Sequence, residues 1–186
     1  MSEITIRAAG RGDIPAITRI YEHAVKYGTA TFEIAAPDEA EMARRQAALL
    51  TGRYPYLVAV RGGEIAGYAY AGPYRARPAY HWSVEDSIYI APDLQGRGIG
   101  RLLLDRLVAE SEQRGFRQMI AVIGDSAQAA SIALHASAGF SNIGTLRSVG
   151  FKLGRWLDTV LMQRGLGSAD TAPPATSPQQ NTAVSS

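Results

Sequence analysis

The chain has 186 residues, 46% of them hydrophobic, and a net charge of +2 from 19 basic and 17 acidic side chains. That length suits one compact domain with a substantial core. The charge excess is too small, and too free of like-charge runs, to indicate a nucleic-acid or membrane partner, even with a sequence pI near 9.0. The lack of cysteine excludes disulfides, cysteine metal sites and a cysteine acyl-enzyme. Met1–Arg7 lacks the basic and apolar regions of a secretory signal, and no apolar run could span a bilayer, so a cytoplasmic protein is expected.

In chain order, Ile4, Ile6 and Ala8 alternate with polar residues and predict a first strand. Asp13 is expected to cap a helix with apolar positions Ile14, Ile17, Tyr21 and Ala24. Tyr27–Pro37 has no clear period and reads as a loop or short irregular helix, and Asp38 starts a second helix to about Leu50. Leu57–Val60 and Ile65–Tyr70 read as a hairpin around Gly62-Gly63, followed by a loop, Gly72–Trp82, rich in proline, arginine and aromatics. Val84–Ala91 is a strand. Gly98 to Gln113 is an amphipathic helix whose predicted buried stripe is Ile99, Leu102, Leu103, Arg106 by its stem, Leu107 and Glu110. Gln118–Ile123, Phe140–Leu146 and Thr159–Met162 are further strands, with a helix at Ala129–Ser137. The domain is expected to end near residue 166. From Gly167 to Ser186 the composition turns to Ser, Ala, Thr, Pro and Gln, with Asp170 the sole charge, and predicts a disordered tail.

The segment Gln95-Gly96-Arg97-Gly98-Ile99-Gly100 follows a strand and opens a helix. Glycines there let backbone N–H groups approach an anion, and the helix N-terminus adds partial positive charge, so phosphate is the natural ligand. An NTPase loop would need Gly-Lys-Ser/Thr where Ile99-Gly100-Arg101 stands, and a dinucleotide fingerprint would sit near the first strand rather than after four or so. The segment resembles the pyrophosphate motif, Gln/Arg-x-x-Gly-x-Gly/Ala, of the GCN5-related N-acetyltransferase (GNAT) superfamily. The resemblance covers essentially Ile4 to Arg164. Three further stretches are similar to the phosphinothricin and methionine sulfoximine acetyltransferases: Tyr80–Tyr89, Leu134-His135 before Gly139-Phe140, and Val149–Trp156. It implies an α/β GNAT fold, a central mixed, mostly antiparallel twisted sheet of about six or seven strands flanked by helices. It also implies a homodimer, acetyl-CoA as co-substrate, no metal, and transfer of the acetyl group to the α-amino group of a small amino-acid-like acceptor.

Direct transfer needs a neutral amine, and an α-amino group is mostly protonated near neutral pH, so a base is useful. Glu85 is the candidate; by the strand period it shares a face with Ser87 and Tyr89. His135 occupies the place where many superfamily members carry a tyrosine acid, and is expected to assist as base or as acid toward coenzyme A. Tyr89 is a further acid candidate. The resemblance implies backbone contacts from Ile88, Tyr89 and Ile90 to the pantetheine arm, with a backbone N–H near Ile90 for the oxyanion. It implies that Gln95, Gly96, Arg97, Gly98, Ile99, Gly100 and Arg101 hold the pyrophosphate. Gln128 stands where an asparagine is usual, which leaves its pantetheine contact open to compensation by Ser131. Arg75 and Arg77, with Phe32, Tyr74, Tyr80 and Trp82, are expected to select the acceptor, since guanidinium groups bind carboxylates through paired hydrogen bonds. Three rival readings are a GNAT enzyme acting on a protein N-terminus, lysine or polyamine, a non-catalytic acyl-CoA-binding module, and a nucleic-acid binder whose arginines form one face. The arginines of Gly72–Trp82 disfavour a polyamine, and the presence of Glu85 and His135 disfavours the inert module.

Overall fold

The computed structural model describes residues 3–174. Seven strands form one mixed sheet: β1 (Ile4–Ala8), β2 (Tyr56–Arg61), β3 (Glu64–Pro73), β4 (Ser83–Ile90), β5 (Gln118–Gly124), β6 (Ser141–Lys152) and β7 (Arg155–Gly165). Their order is β1-β2-β3-β4-β5-β7-β6. All neighbours are antiparallel except β4 and β5. A parallel pair cannot be joined by a hairpin, and the crossover is helix α3 (Ile99–Gln113). The other helices are α1 (Ile14–Tyr27), α2 (Glu39–Thr51) and α4 (Ala129–Ser137).

Both sheet faces are covered, which is why β2 is apolar without alternation. Leu57 and Ala59 join Leu103, Leu107, Phe116 and Met119 in a core under α3. Tyr56 and Val58 join Ile17, Tyr21, Met42, Tyr68 and Tyr89 in a second core under α1 and α2. The helix α2 starts as expected, with the Asp38 carboxylate accepting from the Glu41 N–H at 2.8 Å. Asp13 differs. It ends a short 3-10 turn, and its carboxylate takes the Gly10 N–H and the Arg7 guanidinium, all at 2.7–2.8 Å, instead of capping α1. Pro15, at the second helical position, has no N–H to offer such a cap.

The buried stripe of α3 is also rotated from the expected one. It runs through Ile99, Leu103, Leu104, Leu107, Val108 and Ser111, while Leu102 is exposed and Arg106 and Glu110 pair on the outside. Three consecutive leucines, Leu102–Leu104, permit either frame, and packing against the sheet chose the second. The last two strands are longer than the pattern suggested, because β6 is an outer strand with almost no buried face to impose an alternation. They join at Leu153-Gly154, so the Val149–Trp156 stretch is the tip of a hairpin. Beyond β7, Leu166 donates to the Arg117 carbonyl and Arg117 reaches Ser168 and the Ala172 carbonyl. Of the tail expected from Gly167, residues 175–186 lie outside the described residues.

Candidate active site

The site begins where the sheet comes apart. Pairing between β4 and β5 spans only Ser83–Asp86 against Gln118–Ala121. Beyond it β4 continues to Ile90 on β3, while β5 continues to Gly124 on β7. The Ala91 N–H points to β3, bonding Ala66 O at 2.9 Å. By the strand period the N–H and C=O groups of Ile88 and Ile90 therefore face the gap, and those of Tyr89 face β3. A cleft of about 840 Å³ fills the opening, lined by β4, β5, α1, α4 and the turn before α3.

That turn places Gly96 at φ 72° and Gly98 at φ 80°, the left-handed region that side chains avoid, although added side chains would meet nothing within 4 Å. Glycine is needed for the backbone path. Gly98 precedes α3 without a side-chain cap, leaving the helix N-terminus directed at the cleft. Gln95, Gly96, Gly98, Ile99, Gly100 and Arg101 all line it. The Arg101 guanidinium is engaged by Asp105 and by Ser137, and Arg97 leans on the Asp93 carbonyl, so the anion-binding capacity rests on main-chain amides. A diphosphate fits this cradle, and an extended amide-bearing arm fits the free edge of β4.

Glu85 faces the α1–α2 side of β4, lines the cleft and stands opposite Gly72 on β3. Burial, helped by neighbouring Asp86, pushes its carboxyl up from 4.5 to about 7. Asp86 points the other way. Its Oδ2 lies 3.0 Å from His135 Nε2, and His135 Nδ1 donates to the Ser131 carbonyl at 2.7 Å. The Nδ1 position thus carries a proton, and Nε2 faces the Asp86 carboxyl group. Burial opposes charge on His135, but the Asp86 hydrogen bond and charge outweigh it and raise the ring above its ordinary 6.5. His135 lines the cleft but is only 4% exposed, and both its nitrogens have partners within the protein. Asp86 Oδ1 is buried without a partner.

Tyr89 lies in an aromatic cluster, edge-on to Tyr21 at 5.0 Å and stacked on Tyr68 at 5.2 Å. Burial raises its hydroxyl well above the usual range, so it keeps its proton. Gln128 does not extend along the cleft; its Nε2 donates to Thr29 Oγ1 at 2.9 Å, while Ser131 lines the cleft nearby. Phe32 lines the cleft too, its ring wedged over Gly124 and Gly150, where side chains would overlap it. Lys152, buried beside it, donates to the Thr31 carbonyl at 2.7 Å.

The other expected acceptor contacts are not brought together with these. Tyr74 and Tyr80 pack edge to face at 5.7 Å with the Arg75 guanidinium 5.3 Å over Tyr74, and Arg77 opens the short 3-10 turn at Pro78–Tyr80. The Trp82 carbonyl accepts from the Arg117 and Gln118 N–H groups at the start of β5. This connection caps the end of β4 opposite the glycine turn, and Tyr74, Arg75, Arg77, Tyr80 and Trp82 are absent from the lining of the cleft. Sequence reasoning missed Asp86, Thr29, Thr31, Lys152 and the tyrosines Tyr21 and Tyr70. Asp86 had a signal, since alternation puts the residue after Glu85 on the opposite face, and Lys152 lies within the Val149–Trp156 stretch.

Residues 17–140 match the model of the Acetyltransferase (GNAT) family. The chain is 54% identical to a phosphinothricin N-acetyltransferase of Alcaligenes faecalis, over 91% of this chain and 86% of that protein. It is 42% identical to an L-methionine sulfoximine/L-methionine sulfone acetyltransferase of Salmonella typhimurium, over 86% and 93%. Among solved structures, a GNAT phosphinothricin acetyltransferase from Sinorhizobium meliloti in complex with AcCoA superposes with a TM-score of 0.91 at 48% identity, covering 94% of each chain. A split sheet, a glycine turn at a helix start and these likenesses lead to one conclusion: the chain belongs to the GNAT family and is an acetyl-CoA-dependent N-acetyltransferase.

Proposed function

We propose that the acceptor is a small α-amino acid or close analogue, of the kind named for the relatives (phosphinothricin, methionine sulfoximine or methionine sulfone), and that transfer is direct, without a covalent enzyme intermediate. The observation that carries this reading is the half-buried Glu85 carboxyl beside the gap between β4 and β5, poised near neutrality. The diphosphate of acetyl-CoA rests on Gln95–Arg101, and its pantetheine arm follows Ile88 and Ile90 across the free edge of β4. Glu85 accepts the ammonium proton, directly or through one water, and frees the nitrogen lone pair to attack the thioester carbonyl. The Ile90 N–H stabilises the oxyanion as it forms. The thiolate then leaves as the carbonyl is restored, and the second proton of the attacking nitrogen passes to it, directly or through water, giving the neutral amide and coenzyme A thiol. Phe32 closes the acceptor side. Asp86 and His135 hold β4 in place from the opposite face.

The outer hairpin of β6 and β7 exposes Ile143, Leu146, Val149, Phe151, Leu153 and Trp156. The rings of Phe151 and Trp156 pack 5.4 Å apart in the open. So much exposed apolar surface on one hairpin suits a partner, and the proposal includes a homodimer through this face.

The test is a turnover screen with acetyl-CoA against phosphinothricin, methionine sulfoximine, methionine sulfone, the proteinogenic amino acids and polyamines. Acetylation of the amino-acid analogues is expected. Turnover confined to polyamines or to a peptide lysine would overturn the acceptor assignment.

A further inference from the structure

The glycine turn offers a diphosphate its main-chain N–H groups, but its guanidinium groups are already committed. Arg101 is held by Asp105 and by Ser137, and Arg97 leans on the Asp93 carbonyl. Farther along the cleft stand the carboxyl groups of Glu85 and Asp86. An anion that sheds its water in this place gains from any side-chain N–H that reaches it from another wall.

Helix α1 forms the facing wall. It begins over β2 and β3, where Ile14 and Ile17 join Tyr56, Val58 and Tyr68. It passes β4 where Tyr21 meets Tyr89 edge-on at 5.0 Å. It ends at Tyr27, and the chain then reaches the end of β5, where a side chain on Gly124 would meet the Thr29 carbonyl. The last two turns of α1 therefore roof the gap at the C-terminal ends of the parallel strands β4 and β5. The glycine turn leaves β4 at that same end, where parallel sheets gather their ligands.

Helical rotation sorts the side chains of these turns. Tyr21 leaves α1 on the flank that meets Met42 and Tyr70. His23, two residues on, is turned about 160° from it, and Tyr27 follows His23 by one turn. Both line the cleft together with Gln95, Gly96 and Gly98. Tyr27 is 71% exposed, a large aromatic at the mouth of a cleft. Its ring touches that of His23, with centroids 5.0 Å apart and planes at 49°. Neither ring nitrogen of His23 has a hydrogen-bond partner among the described residues.

We propose that His23 and Tyr27 form a second wall of the acetyl-CoA diphosphate site. His23 donates a ring N–H to a diphosphate oxygen from across the mouth, and the Tyr27 ring holds the imidazole in that orientation. An imidazole carries an N–H in either tautomer, and a bond to an anion is stronger than one between neutral groups. The assignment rests on the reading that Gln95–Arg101 carries the diphosphate.

The experiment compares two acyl donors with one acceptor that the full chain acetylates. They are acetyl-CoA and S-acetylpantetheine, which keeps the thioester arm and lacks the diphosphate and adenosine. His23→Ala should lower kcat/KM for acetyl-CoA about tenfold, the effect of one hydrogen bond to a charged group. S-acetylpantetheine should stay within about twofold, and the calorimetric Kd for coenzyme A should rise about tenfold. His23→Arg, which restores a donor, should recover most of the loss. Tyr27→Ala should lower kcat/KM for acetyl-CoA about threefold, and Tyr27→Phe should not change it. Unaltered coenzyme A affinity in His23→Ala, an equal loss with both acyl donors, or a rise in acceptor KM alone overturns the assignment. Gly96→Ala places a side chain on left-handed backbone at φ 72° and tests the glycine turn by itself. It should weaken acetyl-CoA and spare S-acetylpantetheine. If it does so while His23→Ala does nothing, only the second wall falls; if it affects both acyl donors or neither, the placement of the diphosphate falls with it.

Discussion

Glu85 combines two demands that pull in opposite directions. Its carboxyl is raised to about 7 by burial and by Asp86, which matches a base to a neutral working pH. The wild-type kcat/KM is expected to rise with pH through about 7, and Glu85→Gln should lower turnover by two to four orders of magnitude while acetyl-CoA affinity stays within about threefold. A pH–rate profile and a calorimetric titration check the two halves. The same shift costs stability. The folded state holds this proton more tightly than the unfolded state, so stability is full below about pH 4.5 and is lost as pH rises through 7. Glu85→Gln should therefore be the more stable protein at pH 8, by about 1–2 kcal/mol after solvent screening, and lose that advantage near pH 4. Chemical denaturation at the two pH values measures it. His135 is tied to Asp86 across the fold. Replacing it with alanine strands a buried Asp86 and should destabilise the fold by about 3 kcal/mol at pH 7, read by denaturant midpoint.

At the scale of elements, the decisive arrangement is β4 leaving β5 after Asp86. Nothing in either strand's residues announces that parting; Ile88-Tyr89-Ile90 and Val122-Ile123 would pair as well as any. The glycine turn, by contrast, was legible because left-handed backbone at Gly96 and Gly98 restricts the choice of residue. The helix α2 was legible from its Asp38 cap, and the α3 stripe was not, because three leucines in a row fit two frames. The loop between α1 and α2 had no period and no motif, yet it carries Phe32 onto Gly124 and Gly150. A methyl group at Gly124 would come within 2.8 Å of the Phe32 ring and would also meet the Thr29 carbonyl. Gly124→Ala should cost about 1–3 kcal/mol by overpacking and raise KM for the acceptor more than for acetyl-CoA. Thermal melts and steady-state kinetics separate the two effects.

For the whole molecule, the family and the order of elements were readable because several separated stretches agree along the chain. The residues expected on the acceptor side fall in separate places. Arginines in Gly72–Trp82 suggested carboxylate recognition, but that connection packs on itself at the far end of β4, whereas the tyrosines beside the cleft come from three elements whose register sequence does not display. Pairs such as His135 with Asp86, 49 residues apart, or Gln128 with Thr29, 99 apart, exist only after the sheet is assembled. Several basic side chains are matched on the surface, Arg7 by Asp13, Arg101 by Asp105, Arg106 and Arg114 by Glu110, and Arg155 by Asp125. No helix among the described residues is long and apolar enough to cross a membrane. The apolar β6–β7 hairpin predicts assembly: Trp156→Glu should convert a dimer into a monomer in analytical ultracentrifugation.

The loop that follows α1 starts from one half of the divided sheet and is fastened to the other, through Gln128 to Thr29, Lys152 to Thr31 and the ring of Phe32. It works as a crossbar over a forked frame. The two prongs can neither spread nor close without breaking those ties, so this loop helps to set the width of the cleft. Removing a tie, with Lys152→Ala or Gln128→Ala, should widen acyl-chain tolerance from acetyl toward propionyl and longer donors, a change visible in a donor series with one fixed acceptor.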